Sequence, residues 1–82
     1  MKTYERLIAG WEAKGWHVQL EENPNRETKE RFSCEVYEVM HKEPLPRGLG
    51  YVCGYGATAT SAVIDAEMKL NYQEPKSDAI SI

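Results

Sequence analysis

The stretch "GYVCGYGATATSAVIDAEMKL", residues 50–70, decides how this chain folds. It begins as a strand punctuated by glycines and runs directly into an alanine-rich helix. The glycines weaken the strand but let another backbone, or a ligand, approach it closely. Thr58, Thr60 or Ser61 can cap the helix that follows. Ala59, Ala62, Val63, Ala66 and Leu70 supply its core stripe, with Ile64 and Met68 read as widening that stripe and Asp65, Glu67 and Lys69 as solvated. Alanines at these positions let a helix seat closely on a sheet.

Working outward, the N-terminal segment is the clearest second element. Tyr4, Leu7, Ile8 and Trp11 recur at helical spacing and predict an amphipathic helix over residues 2–14. Gly15 follows as a residue able to take positive φ, Lys14 suits the negative helix end, and Trp16 falls where an apolar side chain packs back on the last turn. Trp16, Val18 and Leu20 then alternate with His17, Gln19 and Glu21, the period of a half-buried strand. "NPNRETKE" is expected to be a long, mobile hairpin loop.

The second strand lies in "RFSCEVYEVMH". Phe32, Cys34 and Val36 share one face; Ser33, Glu35, Tyr37 and Val39 share the other. The apolar signal changes sides near Tyr37, which marks either a bulge or a strand end covered on both faces. "KEPLPRG" holds two prolines and is a loop. The order helix, three strands, helix predicts a two-layer α+β domain over residues 1–72. A three-stranded antiparallel sheet carries both helices on one face, burying Tyr4, Trp11, Val18, Phe32, Ala62 and Ala66. Residues 73–82 lack periodicity and are expected to form a loose tail, with "AISI" able to add an edge strand in an oligomer.

Length and charge narrow the function. At 82 residues the chain is one small domain, of a size that buries only about 60% of its unfolded surface. A net charge of −3 supplies no field to attract nucleic acid or anionic lipid. No apolar run is long enough to span a membrane, and charges interrupt "MKTYERLIAGWEAKG", so neither a membrane span nor a signal peptide is expected. The expected compartment is the cytosol, with Cys34 and Cys53 reduced.

Catalytic and metal chemistry find little purchase. His17, Cys34, His41 and Cys53 are of ligand type but lack the paired spacings of zinc sites, so no metal or cofactor is expected. Neither histidine stands beside an elbow or oxyanion loop, "GLGYVCGYG" lacks the lysine of a phosphate loop, and no glutamate pair is placed in a cleft. The chain is therefore read as a non-enzyme.

What stands out is the outer face of the sheet. It should carry Tyr37, Val39, Tyr51, Cys53 and Tyr55 with Glu35 and His17, and helices lying on one side cannot cover it. Exposed aromatic faces are usually used for association. A protein partner or a homo-oligomer is thus the expected company, through this face and through loops around Asn25, Arg26 and Arg47.

Two resemblances bear on this reading. The α-β-β-β-α order resembles the double-stranded-RNA-binding domain, which also ends in a glycine-bearing strand leading into an alanine-rich helix. That family opens its second helix with a lysine cluster that holds phosphates. Here no lysine or arginine occurs between Arg47 and Lys69. The resemblance thus implies at most a degenerate RNA-binding domain. Residues 4–70 also resemble the phage ABA sandwich family of small phage and prophage proteins, through Trp11, Gly15, Trp16 and the run from Ala57 through Thr60 to Ala66. That resemblance implies a phage origin and brings no catalytic residues. A third expectation is a small-molecule binder using the space that Gly54 and Gly56 leave open.

Overall fold

The computed structural model describes residues 2–71; the expected tail, and any strand added by "AISI", lie outside the described residues. The elements are α1 (Thr3–Ala13), β1 (His17–Glu22), β2 (Phe32–Tyr37), β3 (Tyr51–Gly56) and α2 (Ala59–Asn71). The strands form an antiparallel meander in the order β1-β2-β3, and the domain is the α+β, α-β-β-β-α arrangement that the residue pattern predicts.

α1 ends where Gly15 allows it to end. Gly15 adopts φ +95. Its N–H donates to the Glu12 carbonyl at 2.9 Å, and the Trp16 N–H reaches back to the Trp11 carbonyl at 3.3 Å. These are the two bonds of a Schellman cap. Trp16 is thereby turned into the core, where it is 5% exposed. α2 starts as expected from Thr58: its hydroxyl accepts from the Ser61 N–H at 3.1 Å and its carbonyl accepts from the Ala62 N–H at 3.0 Å.

The register places Val18, Leu20, Phe32, Cys34, Val36 and Val52 on the sheet face that meets the helices. Trp11, Trp16, Cys34, Val36, Val52, Ala62, Val63, Ala66 and Leu70 make the buried core, while Tyr4, Val18 and Phe32 are only half-buried against it. Gly54 and Gly56 lie on this inner face beside α2. A Cβ on Gly54 would stand 2.8 Å from Ala66 Cα, and one on Gly56 would stand 2.6 Å from the Ala62 nitrogen. The space the glycines leave is filled by helix backbone, so it offers no room for a small molecule.

Three expectations are corrected. Ile64 and Met68 are 38% and 63% exposed and do not widen the core stripe. At about 100° per residue they fall roughly 140–180° around the helix from the centre of that stripe. Val39 does not belong to the outer sheet face, because β2 stops at Tyr37; no bulge carries it on. It sits half-buried in the following turn, where its carbonyl accepts from the Lys42 N–H at 3.1 Å. The "NPNRETKE" loop is organised: Asn23 accepts from the Asn25 and Arg26 N–H groups, and Thr28–Glu30 form a 3-10 turn.

The loop joining β2 to β3 supplies a core residue that the residue pattern did not single out. Leu45 is 2% exposed. Its N–H donates to the Glu38 carboxylate at 3.1 Å, and the Glu43 carbonyl, two residues before it, accepts from the Trp16 indole at 2.8 Å. One bond thus ties the loop to Trp16 and the other ties Leu45 back to Glu38, just past the end of β2.

Burial has a consequence for alkaline stability. The Cys34 thiol is fully buried, and burial pushes its pKa up to about 11. An unfolded thiol loses its proton near pH 9, so between those values the unfolded chain binds fewer protons than the folded one. The stability associated with this group is whole below pH 9 and lost as pH rises toward about 11, by up to about 2–3 kcal/mol. Urea unfolding at pH 8 and 10.5 checks it: the midpoint should fall, and Cys34→Ala should lessen the fall.

Candidate functional site

The side chains facing away from the helices form an ordered grid. Cross-strand pairing aligns His17 with Tyr37 and Tyr51, Gln19 with Glu35 and Cys53, and Glu21 with Ser33 and Tyr55. Every one of these residues is placed by simple alternation from the inward set, which is why the residue pattern alone identifies most of the face.

The first row is aromatic. The His17 and Tyr37 rings are 5.9 Å apart, and the Tyr37 and Tyr51 rings stack at 5.2 Å with an interplanar angle of 25°. Cross-strand aromatic pairs of this kind hold both rings in place and hold the strand register. The Tyr37 hydroxyl donates to Glu35 at 2.9 Å. That bond is the main reason the Tyr37 pKa is raised, since it is lost when the phenol ionises. Cys53 raises the neighbouring phenols as well, through its charge at Tyr51 and through contact with its thiol at Tyr55.

Tyr55 has a different setting. Arg26 and Lys69 stand 5.6 and 5.5 Å from its ring centroid, so two cations bracket one aromatic ring. Arg26 comes from the β1–β2 loop, which the structure thus brings to the face; Asn25 is exposed beside it. Arg47 is not brought there. It adopts φ +57, and its guanidinium donates to the Leu70 carbonyl at 2.9 Å and the Lys69 carbonyl at 2.6 Å, in the last turn of α2. Its charge meets the negative end of that helix.

Asp65 and Lys69 are the residues whose role sequence reasoning missed. Read as solvated, they in fact close the free side of β3. The Asp65 carboxylate accepts from the Tyr55 N–H at 3.0 Å, and the Lys69 ammonium donates to the Cys53 carbonyl at 2.8 Å. The two side chains pair with each other at 3.1 Å. Their i,i+4 spacing was the visible signal, but only the seating of α2 beside β3 reveals what they hold.

The groups of catalytic type are dispersed. Cys34 faces the core and Cys53 the outer face, so their thiols lie on opposite sides of the sheet. His17 is on the outer face and His41 in the β2–β3 loop at φ +67. Among the described residues no three His, Cys, Asp or Glu side chains gather as a metal site would need. No helix among the described residues is long and apolar enough to cross a membrane. Comparisons with family models, with curated proteins and with solved structures find no match to this chain.

Proposed function

We propose that this chain is a non-catalytic binding module that takes a protein partner on the outer face of its sheet. The observation that carries this reading is the exposure of large aromatic side chains at fixed positions. Tyr51 and Tyr55 are 48% and 39% exposed, although both sit within a regular strand. The stacked Tyr37 ring and the Glu35 carboxylate stand beside them. Rigid tyrosines offer large contact area with little entropy left to lose.

The resemblance of residues 4–70 to small phage proteins supports a phage or prophage accessory role, in which the partner is a host factor that the module inhibits. This setting would place the chain in the host cytoplasm. A second reading, a degenerate duplex-RNA-binding domain, is supported by the element order. Against it stands the opening turn of α2, built from Thr58 and Ser61 hydroxyls that bond each other at 2.7 Å rather than from lysines. A duplex-RNA titration at low salt would revive it if binding fell steeply as salt was added.

Photo-crosslinking separates the outer face from the rest of the surface. A benzophenone amino acid at Tyr51, illuminated in lysate from the native host, should yield a discrete protein adduct. The same group at Glu12, exposed on α1, should not. Adducts from position 12 with none from position 51 would move the binding surface elsewhere.

A further inference from the structure

We propose that the edge of β1 is a self-association site, at which two copies of this chain pair antiparallel about a two-fold axis through Gln19. This inference goes beyond the tyrosine-face reading and does not depend on it.

The two edges of the sheet are treated differently. In the β1–β2 ladder the Asn23 N–H donates to the Arg31 carbonyl at 2.7 Å, in the same register as the pairs that precede it. Odd-numbered residues of β1 therefore direct their backbone groups toward β2. By alternation, the N–H and C=O groups of Val18, Leu20 and Glu22 point outward. Among the described residues none of these groups has a hydrogen-bond partner. The opposite edge, on β3, is closed by Asp65 and Lys69. An open row of strand donors and acceptors is a template for a further strand.

The side chains on this edge are also incompletely covered. Val18 and Leu20 are half-buried, whereas Cys34 and Val36, their cross-strand partners, are 0% exposed. Val18 and Leu20 pack against the core yet leave part of their apolar surface open along the inner face of β1.

A second copy fits this edge in one register. With the axis at Gln19, Val18 meets Leu20 of the second copy on the inner face, apolar against apolar. On the outer face His17 meets Glu21 of the second copy, an imidazole N–H against a carboxylate, and the two Gln19 amides meet each other. Moving the axis to Leu20 sets Val18 against Glu22. Moving it to Val18 leaves both glutamates beyond the paired residues. The Glu22 carboxylate set against Val18 thus disfavours the register at Leu20, and the His17–Glu21 contact, absent with the axis at Val18, favours the register at Gln19. Pairing would join the two outer faces into one continuous sheet.

A single strand pair is a small interface, so the association should be weak and concentration-dependent. Sedimentation of the full chain between about 10 μM and about 1 mM should show the mass-average weight rising toward twofold. The Leu20 amide should gain protection from hydrogen exchange over the same range. Leu20→Pro removes an outward N–H, which an edge strand tolerates. It should abolish the rise while the circular dichroism stays that of the native protein. Should that variant not fold, a charge series carries the test. Glu21→Lys removes the carboxylate that would accept from His17 and should weaken association at least severalfold; adding His17→Glu sets a carboxylate against the new ammonium and should recover it. A constant monomer mass would overturn the proposal, as would a dimer indifferent to these changes. Concentration-independent protection of the Leu20 amide would also overturn it, by assigning the edge to another segment of the same chain.

Discussion

Gly54→Ala should destabilise the domain by about 3 kcal/mol or more, a large fraction of the stability of a protein this small. The added methyl has nowhere to go. It would intrude on the Ala66 nitrogen and the Ala62 carbonyl and lie 2.8 Å from Ala66 Cα. These are backbone atoms of a helix, which cannot turn aside as a side chain can. Ala62 and Ala66 are 0% exposed, so the helix is already seated as closely as its side chains allow. Relief requires α2 to lift from β3 by about an ångström, and that would loosen Val63 and Leu70 from the core. It would also draw Asp65 and Lys69 away from the β3 backbone they hold. Gly10→Ala is the matched control, since nothing lies within 4 Å of its Cβ position on α1. There a gain of up to about 1 kcal/mol is expected from helix propensity. Urea unfolding of the two variants decides the matter; a Gly54→Ala midpoint equal to wild type would show that the close seating of α2 is not required.

Trp16→Ala carries the second large effect, a loss of about 3–5 kcal/mol. The indole is buried beneath the β2–β3 loop, and its N–H bond to the Glu43 carbonyl holds that segment of the loop down. Lys14 lies over the same ring at 4.9 Å. Removing the ring leaves a cavity and an unpartnered carbonyl, and frees Leu45 to leave the core. Trp16→Phe divides these contributions. It keeps most of the apolar volume and loses the donor, so about 1–2 kcal/mol should be lost. Amide exchange read at Leu45 should quicken more in Trp16→Ala than global unfolding alone explains. Equal exchange in the two variants would mean that the loop holds itself.

The contrast between these residues marks where local pattern stops informing. Gly15 was legible because a helix end, a glycine and a following tryptophan are contiguous in the chain, and the Schellman bonds span only a few residues. The start of α2 was legible only as Thr58, Thr60 or Ser61, and the structure selects Thr58. The outer face was legible because β alternation is a local rule: once Cys34 and Val36 are inward, Glu35 and Tyr37 are outward. Val39 shows the limit of that rule, since alternation cannot say where a strand stops. Ile64 and Met68 show another limit, because apolar character was allowed to outweigh helical angle. Arg47 was taken for a loop cation, and nothing near it in the chain reveals that it reaches the end of a helix more than twenty residues away.

By itself the sequence determined which segments become helices and strands, that α1 ends at Gly15, and which side chains the strands turn outward. Each of these follows from dihedral preference and periodicity within a few residues. The tertiary structure alone decided that Gly54 and Gly56 are filled by α2, that Leu45 and Trp16 lock the long loop, and that Asp65 and Lys69 seal one edge while β1 stays open. These depend on how close separate elements come. That distance is set by packing summed over the whole core, which no local pattern encodes.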